Sequence, residues 1–263
     1  MNLNWILIKL TFVLRVIYAV VLDRAYLESV YGPSLINTSF ISLTNQDITS
    51  IANDAFVNLV KLQQLELYRN EISFINSTTL NDLINLQYLY LGSNQLSSIE
   101  ENTFIRLINL VDLRLSENSI TFIPKNSFIN LIKLRVLYLG SNPISNIDSS
   151  LFAGLVNLDT LLMFDNKLTS INASTFNDLI NIMTLDLSGN QIDRLDSLIF
   201  RNLNKIENLS LQSNRITELD RDIFLGLINL QFVFLANNPI TIKQPDYVKK
   251  LCSTNPKCQI IIT

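Results

Sequence analysis

The chain has 263 residues, a formal net charge of −3 and no His. Without His it lacks the commonest general base and metal ligand, and its two Cys cannot alone complete a structural zinc site. No basic stripe marks a nucleic-acid surface and no acidic run marks a solvating tail, so nucleic acid is not an expected partner.

Residues 1–22 are the most apolar stretch outside the periodic part of the chain. The run from Trp5 to Leu22 is interrupted by Lys9 and Arg15 and ended by Asp23 and Arg24. It reads as a secretory signal peptide, with an apolar run from Val16 to Leu22 and small residues Ala19 and Ala25, though without a clean Ala-x-Ala pattern. Two rivals stay open. An uncleaved anchor needs about 18–20 apolar residues and would hold Lys9 and Arg15 at a cost. A capping segment would instead pack over the first repeat. Residues 23–37 follow as an N-terminal capping segment without Cys.

From there one phrase recurs. Leu62-x-x-Leu65-x-Leu67-x-x-Asn70-x-Ile72 returns 24 residues later as Leu86, Leu89, Leu91, Asn94 and Leu96, and continues without a slip. The Asn slot holds Asn70, Asn94, Asn118, Asn142, Asn166, Asn190, Asn214 and Asn238. An earlier copy has Gln46 there. A fixed period of this length decides the fold before any other feature does. Leu-x-Leu is a very short strand with both leucines on one face. One such strand per unit makes a coil whose successive strands pair in parallel, and stacking covers the apolar face of each unit.

The second half of each unit has its own ladders. Ile51, Ile75 and their successors close the turn. Phe56, Phe104, Phe128, Phe152, Phe176, Phe200 and Phe224 follow, with Leu80 as the one break. These rings predict a stacked spine, with a gap or repacking at Leu80. The Asn ladder has a physical reason, because Asn carries both an acceptor and a donor and the backbone turns where the strand ends. Buried polar groups are paired, so each copy is expected to bond its own coil and the adjacent one.

Four N-x-Ser/Thr sequons occur, at Asn37, Asn76, Asn172 and Asn208. Asn76 and Asn172 share one slot, four repeats apart, which is expected to face outward. At the C-terminus, Pro245 suits the start of a short helix whose Tyr247, Val248 and Leu251 pack on the last coil. Asn255-Pro256 marks a turn, and Ile260–Ile262 add an edge strand. Cys252 and Cys258 are either two free thiols or one local disulfide, the latter fitting an oxidising compartment.

The unit L-x-x-L-x-L-x-x-N-x-[LI]-x-x-[IL]-x-x-x-x-F-x-x-L resembles the typical 24-residue leucine-rich repeat, over residues 38–243 and about nine units. The class is similar to the repeats of Toll-type receptor ectodomains, small leucine-rich proteoglycans and neuronal adhesion receptors. The resemblance implies an α/β repeat solenoid: a right-handed horseshoe with a parallel β-sheet on the concave face and an irregular or short helical convex side. It also implies an extracellular glycoprotein that takes protein or glycan ligands. Many extracellular members carry Cys-rich caps at both ends. Here the N-terminal side has no Cys, and residues 244–263 look like a reduced cap with one disulfide. The form expected is secreted unless residues 5–22 anchor it, and a fragment of a longer receptor is the alternative.

In each strand the residues between the leucines face the concave side. One column holds Gln64, Tyr88, Asp112, Val136, Thr160, Thr184, Asn208 and Phe232. The next holds Glu66, Tyr90, Arg114, Tyr138, Leu162, Asp186, Ser210 and Phe234. A third contains Tyr68, Gly92, Ser116, Gly140 and Phe164. Tyr68, Tyr88, Tyr90, Asp112, Arg114, Tyr138, Leu162 and Phe164 form the candidate partner site, since Tyr and Arg are enriched at interface hot spots. The opposing consideration is that aromatics simply suit strands.

The leading function is therefore a secreted or cell-surface binding protein that takes a protein or glycan on its concave face. A self-associating matrix or scaffold protein, which predicts a homodimer, and an inhibitor of another enzyme are the alternatives. No catalytic residue, cofactor or metal is expected. No nucleophile elbow, P-loop or H-E-x-x-H is present. Asp112 and Asp186 lie three strands apart, about 14 Å at ~4.8 Å per strand, too far for paired-carboxylate chemistry.

Overall fold

The computed structural model describes residues 19–262. Its first elements are β1 (Val20–Leu22), α1 (Arg24–Tyr31), a 3-10 turn (Gly32–Asn37), β2 (Phe40–Ser42) and β3 (Ile48–Ile51). One three-residue strand per unit follows: β4 (Gln64–Glu66), β5 (Tyr88–Tyr90), β6 (Asp112–Arg114), β7 (Val136–Tyr138), β8 (Thr160–Leu162), β9 (Thr184–Asp186), β10 (Asn208–Ser210) and β11 (Phe232–Phe234). Then come α2 (Pro239–Lys243), α3 (Pro245–Lys250) and β12 (Gln259–Ile261).

Ten of the strands form one parallel sheet in the order β12-β11-β10-β9-β8-β7-β6-β5-β4-β2. The register advances by one unit at every step from β2 to β11, so Leu65 lies opposite Leu89 and Leu89 opposite Leu113. The middle leucines are wholly buried, and the core is one cluster running the length of the solenoid. The expected repeat solenoid is thus the observed fold. The convex side takes the irregular form of the two expected, without a helix in the repeats among the described residues. It is a series of tight turns closed by i to i+3 bonds, such as Leu59 N–H to the Phe56 carbonyl at 3.1 Å. The α-helices among the described residues belong to the two ends.

The N-terminal end is sealed without cysteine. Asp23 caps α1 by accepting the Tyr26 N–H at 2.7 Å, and Leu27 and Leu35 are buried over the first coil. The predicted boundary at Leu22 falls inside the fold. Strand β1 pairs in parallel with β3, and Leu22 is fully buried. The reason is that the first coil has no preceding coil to cover it, so Val20–Leu22 take that place. The rest of the predicted signal peptide, residues 1–18 with Lys9 and Arg15, lies outside the described residues.

Every ladder Asn is held in the same way. Asn142 Nδ2 donates to the carbonyls of Leu115, one coil back, and Leu139 in its own coil, while Oδ1 accepts the Ile120 N–H at 3.0 Å. The same three contacts recur from Asn70 to Asn238. Gln46 does not join them. Its longer side chain turns outward and donates to the Thr44 carbonyl. The residue before each ladder Asn, from Arg69 to Asn237, adopts a left-handed backbone with φ of 50–64°. That kink swings the Asn side chain inward. It costs roughly 1 kcal/mol per non-glycine residue, which the three buried hydrogen bonds offset.

The phenylalanines stack in pairs. Phe104 meets Phe128, Phe152 meets Phe176 and Phe200 meets Phe224, with centroids 6.1–6.3 Å apart and planes 21–22° apart. Leu80 fills the interruption and is itself buried.

A second asparagine ladder runs outside the core. Asn85, Asn109, Asn157, Asn181 and Asn229 each donate from Nδ2 to the carbonyl 25 residues earlier, at 2.7–2.8 Å. Lys61, Lys133 and Lys205 occupy this slot in the other coils. In the last two, Asn130 and Asn202, three residues earlier, make the equivalent bond.

The C-terminal cap begins earlier than the predicted residue 244. Pro239 ends the repeat backbone directly after Asn238, because it starts helix α2. In α3, Val248 is fully buried and Tyr247 donates its hydroxyl to the Leu219 carbonyl at 2.8 Å. Cys252 and Cys258 form a disulfide, and β12 adds the edge strand beside β11.

Candidate functional site

The concave columns project from the sheet in strict register, so residues 24 apart in sequence are neighbours. Strand β6 carries the centre of the patch. Arg114 lies between two tyrosine rings, with its guanidinium carbon 4.7 Å from the Tyr90 centroid and 4.8 Å from the Tyr138 centroid. Its Nε and Nη2 also reach both carboxylate oxygens of Asp112 at 2.8–3.2 Å. The Tyr90 hydroxyl donates to Asp112 Oδ2 at 3.3 Å. Four of the eight predicted partner-site residues therefore form one interlocked group.

The electrostatics follow from that packing. Burial, and then the Asp112 charge beside it, push the Tyr90 phenol up to about 12. The hydrogen bonds it donates to Asp112 hold the Arg114 guanidinium more firmly protonated than usual. Asp112 is buried and paired, so the group presents stacked rings and a fixed guanidinium edge rather than a bare charge.

The other four residues frame this group. Tyr88 stands beside Asp112 in register, and Leu162 beside Tyr138. Tyr68 and Phe164 lean inward from the two flanking strands. A Cβ at Gly92 would lie 3.0 Å from the Tyr68 ring, and one at Gly140 would lie 2.6 Å from the Phe164 ring. The glycines are the space those rings occupy, a role that the sequence columns displayed but did not explain. Between them, the Ser116 hydroxyl is enclosed and makes no hydrogen bond among the described residues.

Beyond β8 the face changes. Thr184, Asp186, Ser188, Asn208 and Ser210 are small and polar, and Asp186 accepts both the hydroxyl and the N–H of Ser188. Phe232 and Phe234 stack at 6.3 Å on the last repeat strand, half-buried and flanked by β12. They are separated from the patch by two polar strands.

The sequon residues are spread over the molecule. Asn37 is exposed, and its Oδ1 accepts Lys61 Nζ at 2.8 Å. Asn76 and Asn172 lie on the outer turns, where Oδ1 accepts the N–H and hydroxyl of Thr78 and Ser174. Asp148 plays the same role with Ser150, whose bonds hold its carboxyl below the usual range. The slot is thus a turn-closing position that works with either Asn or Asp. Asn208 is half-buried on the concave face of β10.

Among the described residues, no group of His, Cys, Asp or Glu is arranged to hold a metal ion, and no helix is long and apolar enough to cross a membrane.

Comparison with known proteins agrees with the repeat geometry. The family described as "Leucine rich repeat" matches residues 37–96, 69–120, 108–168 and 165–216. A chain of the TLR13–ssRNA13 complex is 31% identical with a TM-score of 0.76, and the match covers 85% of this chain and 32% of that one. A chain of the octameric complex of Latrophilin 3, Unc5D and FLRT2 is 27% identical with a TM-score of 0.72, covering 82% of this chain and 67% of that one. A leucine-rich-repeat protein of Leptospira interrogans is 27% identical with a TM-score of 0.68, covering 84% and 59%. The chain thus spans about a third of the length of the TLR13 chain. No curated protein matches. With repeat matches running from residue 37 to 216 and one parallel strand per 24 residues, the chain belongs to the leucine-rich-repeat family.

Proposed function

We propose that the chain is a non-enzymatic binding protein that takes a protein ligand on the concave face of β4–β8. The carrying observation is the Tyr90–Arg114–Tyr138 stack locked to Asp112. Rigid aromatic and Arg groups lose little side-chain freedom on contact and are the usual anchors of interfaces. Two of the similar structures are complexes, one with ssRNA and one with other proteins. The electrostatics favour the second kind of ligand. Arg114 is the single basic residue in the three concave columns, and Asp112 already neutralises it. Nucleic-acid binding draws its affinity from many unpaired cations.

An extracellular setting, with residues 1–18 as the greater part of a signal peptide, fits the Cys252–Cys258 disulfide and the sequons. At Asn76 and Asn172 the carbonyl closes the turn while Nδ2, the atom that carries a glycan, makes no hydrogen bond among the described residues. Glycans there would leave the concave face open.

The test is capture from extracellular fluid with the purified chain, comparing the native form with Tyr88→Ala/Tyr138→Ala. The double variant is expected to lose a protein that the native chain retains, with its melting curve within about 1 kcal/mol of native stability, as for other partly exposed sites. Equal capture by both forms, or a ligand that is single-stranded RNA, would overturn the proposal.

A further inference from the structure

A second surface stands apart from the concave patch. Two residues before the leucine or isoleucine that leads into each strand, one residue upstream of the outer ladder slot, the chain carries Val60, Ile84, Ile108, Ile132, Val156 and Ile180. All are β-branched and aliphatic, and all are 37–55% exposed. A shorter row of Val57, Ile105 and Ile129 runs beside them, also 38–46% exposed. None is needed for the core, which is complete without them.

The stripe is rigid. The outer asparagine ladder takes its acceptors from these very residues: Asn85 bonds the Val60 carbonyl, Asn109 that of Ile84 and Asn157 that of Ile132. Val60, Ile84, Ile132 and Val156 are thereby tied to the next coil, and where Lys133 replaces the ladder Asn it is Ile105 of the neighbouring row that is tied, through Asn130. The stripe also lies on the flank where the chain enters the strands. A solenoid that bends toward its sheet curves its concave and convex faces, whereas its flanks stay flat.

We propose that this flank is a homodimer interface, formed by two copies related by a two-fold axis that sets their stripes antiparallel. Area is the first argument. At roughly 80 Å² for each half-exposed aliphatic side chain, the nine residues present about 700 Å², above the 300–600 Å² typical of a monomer's largest patch and near the ~800 Å² per partner of a stable interface. Self-complementarity is the second. A row of like side chains at constant spacing meets its own reverse in register, as an isologous contact requires.

Charge gives the third argument and selects the antiparallel setting. The stripe slots run from Val60 to Ile228, with Asn204 as the one polar substitution, so their midpoint falls between Ile132 and Val156. Around that point the coil of Ile108 faces the coil of Ile180 in the second copy. The flanking residues two positions upstream are then Arg106 and Asp178, and they meet twice per dimer. Arg106 is exposed and makes no ion pair or hydrogen bond among the described residues. In the row on the other side, Lys61, Lys133 and Lys205 face Asn229, Asn157 and Asn85. No like charges oppose one another in either row.

The arrangement leaves both concave faces open, so the dimer would present two binding faces to one partner surface. It does not depend on what the concave patch binds.

The test is sedimentation equilibrium of the purified chain at about 50 μM, a concentration that populates any dimer of low-micromolar affinity. The native chain is expected to be a dimer. Ile132→Glu, and separately Ile180→Glu, should raise the dimer dissociation constant at least ~100-fold with an unchanged melting curve, since both side chains are exposed in the monomer. Arg106→Asp should weaken the dimer about tenfold, and Arg106→Asp with Asp178→Arg should restore it to within about threefold of native. A monomeric native chain, a dimer indifferent to Ile132→Glu and Ile180→Glu, or charge reversal that fails to restore association would each overturn the proposal.

Discussion

The two asparagine ladders climb the same solenoid at the same period, yet one tolerates substitution along its length and the other only at its exposed first copy, Gln46. Along the inner ladder all eight slots from 70 to 238 are Asn. Along the outer ladder Lys intrudes at positions 61, 133 and 205. The difference is water. Inner copies such as Asn142, 3% exposed, bond backbone groups that no solvent can reach. A buried polar group left without a partner costs about 1–3 kcal/mol, so nothing but Asn fits that slot. The outer copies bond carbonyls at the surface, where water or a neighbouring side chain serves as well. Lys133 turns away to donate to Asn109 Oδ1 at 2.7 Å, and Asn130 takes over the lost reach. Periodicity in a sequence therefore reports more than one kind of constraint, and burial separates them.

The contrast is open to direct attack. Asn142→Ala should have the largest effect, destabilising the chain by about 3 kcal/mol in urea unfolding, because the Leu115 carbonyl and Ile120 N–H lose their partner in the core. A loss under about 1 kcal/mol would place the inner ladder on the same footing as the outer one. Asn157→Ala removes one surface bond, to the Ile132 carbonyl, and should cost about 0.5–1 kcal/mol. A penalty equal to that of Asn142→Ala would break the distinction from the other side.

The smallest effect belongs to the concave patch and is read by titration. The folded state holds the Tyr90 phenol at about 12, above its ordinary 10. The neutral form is thus favoured by folding. Its contribution to stability is complete below pH 10 and is lost as the pH rises toward 12. Ultraviolet titration should show a late tyrosine step near pH 12, and Tyr90→Phe should remove it. A late step that survives the substitution would assign the shift to another ring.

The eight candidate partner-site residues were legible as three columns, since a parallel sheet in 24-residue register leaves no freedom about which side chains are neighbours. The columns did not disclose how the residues meet. That Arg114 turns back to Asp112 on its own strand, instead of reaching along the groove, depends on the two flanking rings. That Tyr68 and Phe164 lean inward depends on the absence of a Cβ at Gly92 and Gly140. The apolar stripe was present in the sequence too, as Ile or Val two residues before the Leu or Ile that opens each unit's phrase. It was indistinguishable there from the core leucines until exposure set them apart.

The sequence by itself determined the solenoid, its period, the identity of the inner ladder and the membership of the concave face. These follow from local spacing and from the rule that buried polar groups are paired. Tertiary structure decided the ends and the surfaces. Val20–Leu22 join the fold because an end coil lacks a neighbour to cover it, and Pro239 closes the array because its ring starts a helix. Which aliphatic side chains remain half in water depends on where each coil rests against the next, a quantity that no single repeat contains.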